Sequence, residues 1–208
     1  EMIADNISHD SKVWTKTYDL YGNLVSEEGE KDAKGNYRYD NLDGYEYVDI
    51  EYDHIVWRNA VDKNGKAKKP VKTPIGKKVC RFAQFPEGQV GVLPAILREL
   101  LSQRKATRKE SAKMMATDPQ FANVLDKRQL SYKILANSIY GQTGAKTSSF
   151  YEVDIASSTT AGGRKMLMYA KRVLETAYTN RTFNVPGYGK VVTNGEYVYG
   201  DTDSVFFT

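Results

Sequence analysis

Among 208 residues there is a single cysteine, Cys80, and there are two histidines, His9 and His54. One thiol cannot close an intrachain disulfide, and one thiol with two distant imidazoles lacks the spacing of a zinc site. Cross-links and structural zinc are therefore excluded as sources of stability, and Cys80 is expected as buried filler, the usual place of a free cysteine. No apolar run approaches the about 20 residues of a bilayer-spanning helix, and Glu1-Met2-Ile3-Ala4-Asp5 lacks the basic-then-apolar order of a signal peptide. An intracellular protein with no membrane partner is expected, in which the sequons Asn6-Ile7-Ser8 and Asn180-Arg181-Thr182 carry no consequence. Nor is there a strong excess of either charge. Thirty Lys and Arg against 26 Asp and Glu leave a net +4, which is compatible with a nucleic-acid partner but does not establish one. What is present, 40% hydrophobic and 27% charged residues without repeats or low-complexity tracts, is the composition of a globular chain able to bury a core. The sequence begins without Met and stops within the strand-like Val205-Phe206-Phe207-Thr208. Both ends are expected to be internal to a longer polypeptide.

Residues 11–80 are rich in Gly, Asn, Asp, Tyr and Lys, with alternation such as Tyr45-Glu46-Tyr47-Val48-Asp49-Ile50-Glu51-Tyr52 between turn signals at Gly22-Asn23, Lys34-Gly35-Asn36 and Lys63-Asn64-Gly65-Lys66. Short strands and loops are expected there. The basic, proline-punctuated stretch over residues 66–78 reads either as an exposed loop, solvated by its lysines, or as a contact for DNA phosphates. From Val92 onward Leu93, Ile96, Leu97, Leu100 and Leu101 recur at helical spacing, and the same helix turns basic at Arg104, Lys105, Arg108, Lys109 and Lys113. Thr117-Asp118-Pro119 breaks it. Asp118 is a fit N-cap and Pro119 a fit first residue for a second helix running toward Gly141 and Gly144. The pair is expected to form an antiparallel helical hairpin.

With its tip at Asp118, that hairpin sets Arg104 opposite Lys133 and Arg108 opposite Gln129, counting about 1.5 Å per residue from the tip. Leu97, Leu101, Arg104 and Arg108 then form one stripe, and Gln129, Lys133, Asn137 and Tyr140 another. A third helix is expected from Ser157-Ser158-Thr159-Thr160 to Tyr178, with Gly162-Gly163 permitting close packing. After a Pro-Gly and Gly-Lys turn region, Glu196-Tyr197-Val198-Tyr199 and Ser204-Val205-Phe206-Phe207 read as two strands around Gly200-Asp201-Thr202-Asp203.

Nucleotidyl transfer needs the triphosphate charge neutralised and a hydroxyl activated, commonly by two magnesium ions about 3.5–4 Å apart on carboxylates. Asp201 and Asp203, two apart on extended backbone, project to one side and suit this, although aspartates are also ordinary turn residues. Lys133, Asn137 and Tyr140 on one helical face suit a nucleotide, a cation for phosphate with an amide and a phenol for sugar and base; the same residues also fit a plain amphipathic surface.

Taken together, Lys133-Ile134-Leu135-Ala136-Asn137-Ser138-Ile139-Tyr140-Gly141 resembles the fingers motif of family B DNA polymerases, and Tyr199-Gly200-Asp201-Thr202-Asp203-Ser204 resembles their second palm motif. Gly91-Val92-Leu93-Pro94 with Gln103-Arg104-Lys105 is similar to the start of the first fingers helix, and residues 1–10 are similar to the segment just after the first palm motif. Asn6-Ile7-Ser8-His9-Asp10 and Tyr140-Gly141-Gln142-Thr143-Gly144 are similar to polymerases of large nucleocytoplasmic DNA viruses. The resemblance implies an α/β (α+β) architecture, a partial palm of antiparallel sheet plus helices with a two-helix fingers hairpin. Residues 1–90 are then palm with a β-rich insertion, 91–144 fingers, and 145–208 palm ending in the metal-binding hairpin.

Residue by residue, it implies Asp203 as a direct metal ligand and Asp201 as a supporting carboxylate. Arg104 and Lys133 grip the incoming dNTP, with Arg108, Asn137 and Thr202 beside it, and Tyr140 with Gly141 meets the nascent base pair of the primer-template DNA. Two Mg²⁺ ions are implied, the other aspartate set being expected before Glu1, along with a processivity clamp as a partner of segments not in this sequence. The implied location is the nucleus or a cytoplasmic viral replication site of the host. Alone, the chain is expected to be inactive. A catalytically dead, DNA-binding scaffold is the alternative, and a nuclease using Asp201 and Asp203 is disfavoured because neither histidine has metal-ligand spacing.

Overall fold

The computed structural model describes residues 1–61, 66–201 and 204–208, and of Val61 the backbone only. Two compact units divide the chain, Glu1–Thr159 and Thr160–Thr208. In the first, β1 (Lys12–Asp19), β2 (Leu24–Glu28), β3 (Glu46–Val61) and β4 (Ala67–Gln84) form an antiparallel sheet in the order β2-β1-β4-β3. Val13, Trp14 and Ala83 are its buried centre, with Tyr37, Tyr45, Tyr47, Val79 and Phe85 packed on them. Arg81 lies over the Trp14 and Tyr47 rings at 4.7 and 5.5 Å and is held by both Asp49 oxygens at 2.7 Å and by Asp40 at 3.0 Å. Hydrogen bonding to Asp49 outweighs partial burial and raises the guanidinium further above its ordinary range.

β3 and β4 are longer than the short strands expected, and the basic stretch over residues 66–78 lies mostly within β4 rather than in a loop. The reason is the sheet edge. β1 stays paired with β4 only as far as Asp19 and Gly76, so from Pro74 back to Ala67 the strand has β3 as its single neighbour. On an open edge Pro70 and Pro74 remove no ladder bond that a second strand would need. Gly76 marks the junction, because a Cβ there would meet the Tyr18 carbonyl oxygen at 1.9 Å. Of the expected turn at residues 63–66, all but Lys66 lies outside the described residues.

A single 3-10 turn over Pro86–Gly88 leads into α1 (Val92–Met114) and then α2 (Pro119–Thr143). As expected, Asp118 caps α2, accepting from the Phe121 amide at 2.9 Å, and Gly144 ends it. α3 (Val153–Tyr178) begins four residues earlier than the Ser-Ser-Thr-Thr run indicates. Those hydroxyls belong to the helix interior, where the Thr159 hydroxyl donates back to the Ile155 carbonyl at 2.9 Å.

α3 runs on into the second unit, followed by β5 (Thr179–Val185), β6 (Gly189–Asn194), β7 (Tyr197–Asp201) and β8 (Ser204–Phe207), paired as two antiparallel hairpins. The Pro186-Gly187 turn was legible in the sequence and its flanking strands were not. Tyr178 ties this unit together, stacking on Phe207 with ring centroids 6.3 Å apart and accepting from the Gly195 amide at 3.0 Å. The mixture of helices and antiparallel sheet is the α/β class read from the sequence.

Candidate active site

The helical hairpin is built on a seam that repeats at alternating steps of four and three. On α1 the seam carries Leu93, Leu97, Leu100, Arg104, Thr107 and Ser111, and on α2 Ala122, Leu125, Gln129, Tyr132 and Ala136, all buried or half-buried. This is knobs-into-holes spacing. Two contacts fix its register: Arg104 Nε donates to Gln129 Oε1 at 3.2 Å, and Ser111 Oγ donates to the Ala122 carbonyl at 2.9 Å.

That register differs by one turn from the sequence reading. Arg104 is level with Gln129 rather than Lys133, and Arg108 therefore stands nearer the tip than Gln129. The cause is the end of α1. The helix stops at Met114, and the amides of Thr117 and Asp118 both turn back to the Met114 carbonyl, so the tip precedes Asp118 by about half a turn. Moving the tip moves both partners, doubling the displacement.

The expected stripe on α1 also divides. Arg104 sits half-buried in the seam, whereas Leu101 and Arg108 are exposed on its flank. A depression of about 340 Å³ lies there, lined by Leu101, Arg104, Lys105, Arg108 and Lys109. On α2 Gln129 belongs to the seam, with Lys133, Asn137 and Tyr140 exposed beside it. Rotation at about 100° per residue puts Arg108 on one helix and Lys133, Asn137 and Tyr140 on the other to the same hand of their seams. In antiparallel helices the same hand is the same side of the pair. The two flanks thus border one groove with Arg104 in its floor, and Lys133 lies four residues, about 6 Å, along the axis from Arg104. Gln129 is oriented by its second bond, Nε2 donating to Asp126 Oδ1 at 3.1 Å, which leaves its carbonyl oxygen for Arg104. Gly141 is exposed, and a Cβ there would meet nothing within 4 Å.

The carboxylate motif falls on the β7–β8 hairpin. Asp201 closes β7, paired with Ser204, after the pairs Gly200 with Val205 and Tyr199 with Phe206. Asp201 is exposed. Thr202 and Asp203, assigned to nucleotide and metal from the sequence, lie outside the described residues. Among the described residues no group of three or more His, Cys, Asp or Glu side chains is placed to hold a metal ion, and no helix is long and apolar enough to cross a membrane.

Two polar networks escaped sequence reading. In the first, Asn6 Nδ2 donates to the Ala83 carbonyl at 2.8 Å while its Oδ1 accepts from the Gly91 amide at 2.7 Å. Asp10 accepts from the Val92 amide at 3.1 Å and the Ser8 hydroxyl from the Leu93 amide at 3.2 Å. These side chains satisfy the otherwise unpaired first amides of α1 from a distant loop. In the second, buried Asp154 at the start of α3 accepts from Lys12 Nζ at 2.9 Å, the Thr15 hydroxyl at 2.8 Å, the Tyr52 hydroxyl at 2.6 Å and Lys78 Nζ at 3.3 Å. Burial alone would raise its pKa; the hydrogen bonds from Tyr52 and Lys12 overcome that and hold the carboxyl well below the usual range. Burial pushes the Tyr52 phenol far up. Cys80 is buried as expected, but against these polar groups, 3.2 Å from the Thr15 hydroxyl.

Comparison with known proteins gives the same assignment as the motifs. The chain is 54% identical over 206 residues, 99% of its length, to the DNA polymerase of Phaeocystis pouchetii virus. It is 36% identical over 99% of its length to that of Pyramimonas orientalis virus. To the DNA polymerase delta catalytic subunit of Bos taurus it is 43% identical over 137 residues, 65% of this chain and 11% of that protein. It spans about a fifth of the length of the viral relatives it matches, 19% and 17%. With the family model for DNA polymerase family B matching residues 47–208 as well, the chain belongs to DNA polymerase family B.

Proposed function

We propose that the chain supplies the fingers and part of the palm of a DNA-directed DNA polymerase, with residues 1–90 and 145–208 as palm and 91–144 as fingers. The groove of the α1–α2 hairpin carries the reading. It combines a guanidinium held in its floor at Arg104 with exposed cations on both flanks, Arg108 and Lys133. A triphosphate needs planar, bidentate donation from arginine and point charge from lysine, which this groove offers together. Asn137 lies beyond Lys133 along the same flank for the sugar and triphosphate, and Tyr140 with the open backbone of Gly141 for the base pair of primer and template. Thr202 is assigned beside the nucleotide.

In the reaction, the primer 3′ hydroxyl attacks the α-phosphate and pyrophosphate leaves. Magnesium, when bound, neutralises phosphate charge and activates the hydroxyl. Its donor chemistry fits Asp201, a hard-oxygen carboxylate exposed at the end of a hairpin, which would help to hold the ion. Asp203 is assigned as the direct ligand and Asp201 as its support. The protein's own residues bind and orient: movement of the hairpin as a lid brings Arg104 and Lys133 onto the phosphates and excludes water.

Primer extension by the intact open reading frame that carries this sequence tests the reading. Asp203→Asn is expected to reduce extension to background with DNA binding retained. Arg104→Ala is expected to raise the KM for dNTP by about 10–100-fold, the value of a charged hydrogen bond of about 1.5–3 kcal/mol. Full extension by the Asp203 variant rejects the metal assignment, and an unchanged KM rejects that of Arg104.

A further inference from the structure

Beyond Gly76 the β3–β4 ribbon leaves the four-stranded sheet. It continues as two strands alone from the Ile55–Pro74 pair to the Val61–Ala67 pair, about 20 Å at about 3.4 Å per residue. Register shifts flank this segment's base, between His54 and Ile55, and interrupt it between Arg58 and Ala60, where such bulges bend and twist a ribbon.

Charge is distributed along the ribbon in two distinct ways. Its proximal half matches cations to acids: Lys77 with Glu51 at 2.5 Å, Arg81 with Asp49 at 2.7 Å, Lys78 with Asp154 at 3.3 Å. The distal half carries Arg58, Lys66, Lys68, Lys69 and Lys72, while residues 54–61 and 66–76 contain no Asp or Glu. Among the described residues no acid lies within ion-pair distance of Arg58, Lys68, Lys69 or Lys72.

Cross-strand partners share a face and successive residues alternate. Trp57 and Lys72 are partners on one face, with the ammonium 5.3 Å from the indole centroid. Arg58, opposite Val71, takes the other face, and Ala60 with its partner Lys68 follows on that side. Cations therefore stand on both faces. Trp57 is 64% exposed and Val71 55%, so neither face is packed against the protein. A one-faced basic strip would lie on a flat acidic surface. A ribbon charged on both faces, with an exposed aromatic on one of them, fits a channel walled by anions on two sides, which is the form of a duplex groove about 12 Å wide that admits a two-stranded ribbon.

We infer that the distal β3–β4 ribbon is a second DNA-binding element, separate from the α1–α2 groove, that enters a groove of duplex DNA and contacts phosphates on both sides through Arg58, Lys68, Lys69 and Lys72. The contact is to backbone and groove shape and carries no base specificity. Only the origin of the duplex, the primer-template, rests on the polymerase reading.

The test measures binding of a labelled primer-template with a duplex arm of about 30 base pairs to the intact polypeptide, by anisotropy across about 50–200 mM salt. Replacing Arg58, Lys68, Lys69 and Lys72 together by Gln is expected to weaken binding at least about tenfold. It should also flatten the slope of log K against log salt by about 3–4, since each of the four lost phosphate contacts removes about 0.9. Replacing the three lysines by Arg keeps charge and fold, and is expected to restore both. An unchanged affinity and slope in the Gln variant overturns the inference and leaves an acidic protein as the ribbon's occupant. Primer extension by the unmodified protein is the parallel control. If it extends primers while the Gln variant binds normally, the ribbon assignment fails and the polymerase reading stands; if it fails to extend, the polymerase reading fails whatever the ribbon binds.

Discussion

Asp154→Asn removes one charge from the most enclosed ionic site described in the molecule. The carboxylate is only 3% exposed and is held by Lys12, Lys78, Thr15 and Tyr52 at 2.6–3.3 Å. An amide keeps the shape but leaves two half-buried ammonium groups, Lys12 and Lys78, without the buried counter-charge, and among the described residues Lys12 retains only Glu152 at 3.2 Å. Breaking a buried pair from one side costs about 3–5 kcal/mol. At 3 kcal/mol the melting temperature falls by about 6–12 °C for a chain of this size. The same site gives a second, independent reading through pH. Its folded pKa is depressed below the ordinary value of 3.8, so its stabilisation is fully present above that value and is lost as pH falls through the lower folded pKa. The gap in unfolding free energy between wild type and Asp154→Asn, measured by urea titration, is therefore expected to be constant from pH 7 to about 5 and to narrow below about 4. A cost under about 1 kcal/mol, or a gap that stays constant into acid, would refute the account of Asp154 as a charged anchor.

The hairpin register can be tested by double-mutant cycles: Arg104→Ala and Gln129→Ala are expected to couple by about 0.5–1 kcal/mol in chemical denaturation, whereas Arg104→Ala and Lys133→Ala are expected to add. Coupling in the second pair alone would restore the register read from the sequence. Asn6→Ala deprives the buried Gly91 amide and Ala83 carbonyl of their shared partner. A loss of about 2–6 kcal/mol is expected at about 1–3 kcal/mol for each of the two unsatisfied groups, and a loss below about 0.5 kcal/mol would show that water replaces the amide there.

How much of this site could be read from the sequence depended on whether the signal was local. Asp118-Pro119 and Gly144 mark helix ends by their own backbone chemistry, and the ends lie where those residues put them. Asp201 and Ser204 bracket their hairpin for the same reason. The seam of the two helices was harder, because its polar members hide it. Arg104, Thr107, Ser111 and Gln129 occupy positions where a hydrophobic pattern expects leucine, so the apolar stripe seemed to run through Leu101 toward Arg108. The length of the ribbon was masked in the opposite way, since Pro70 and Pro74 break a strand pattern unless the missing neighbour on that edge is known.

Asn6 and Asp154 were invisible for a further reason. Each draws its side-chain partners from residues 76 to 142 positions away in the chain, and nothing in their immediate surroundings distinguishes them from surface polar residues. Their placement nonetheless bears on function. Asn6, Ser8 and Asp10 hold the first turn of α1, and the Glu152 amide donates to the Thr143 carbonyl at 2.8 Å, two residues before Asp154 is clamped to the sheet. Both ends of the helical hairpin are thereby fastened at its base, while among the described residues the backbone hydrogen bonds of its tip at Met115 to Asp118 stay within the hairpin. A lever hinged at one end needs rigid attachment there and freedom at the other. On the reading proposed above, in which the groove at Arg104 and Lys133 delivers the nucleotide, the two networks that the sequence conceals are what would make the hairpin an arm rather than a loose pair of helices.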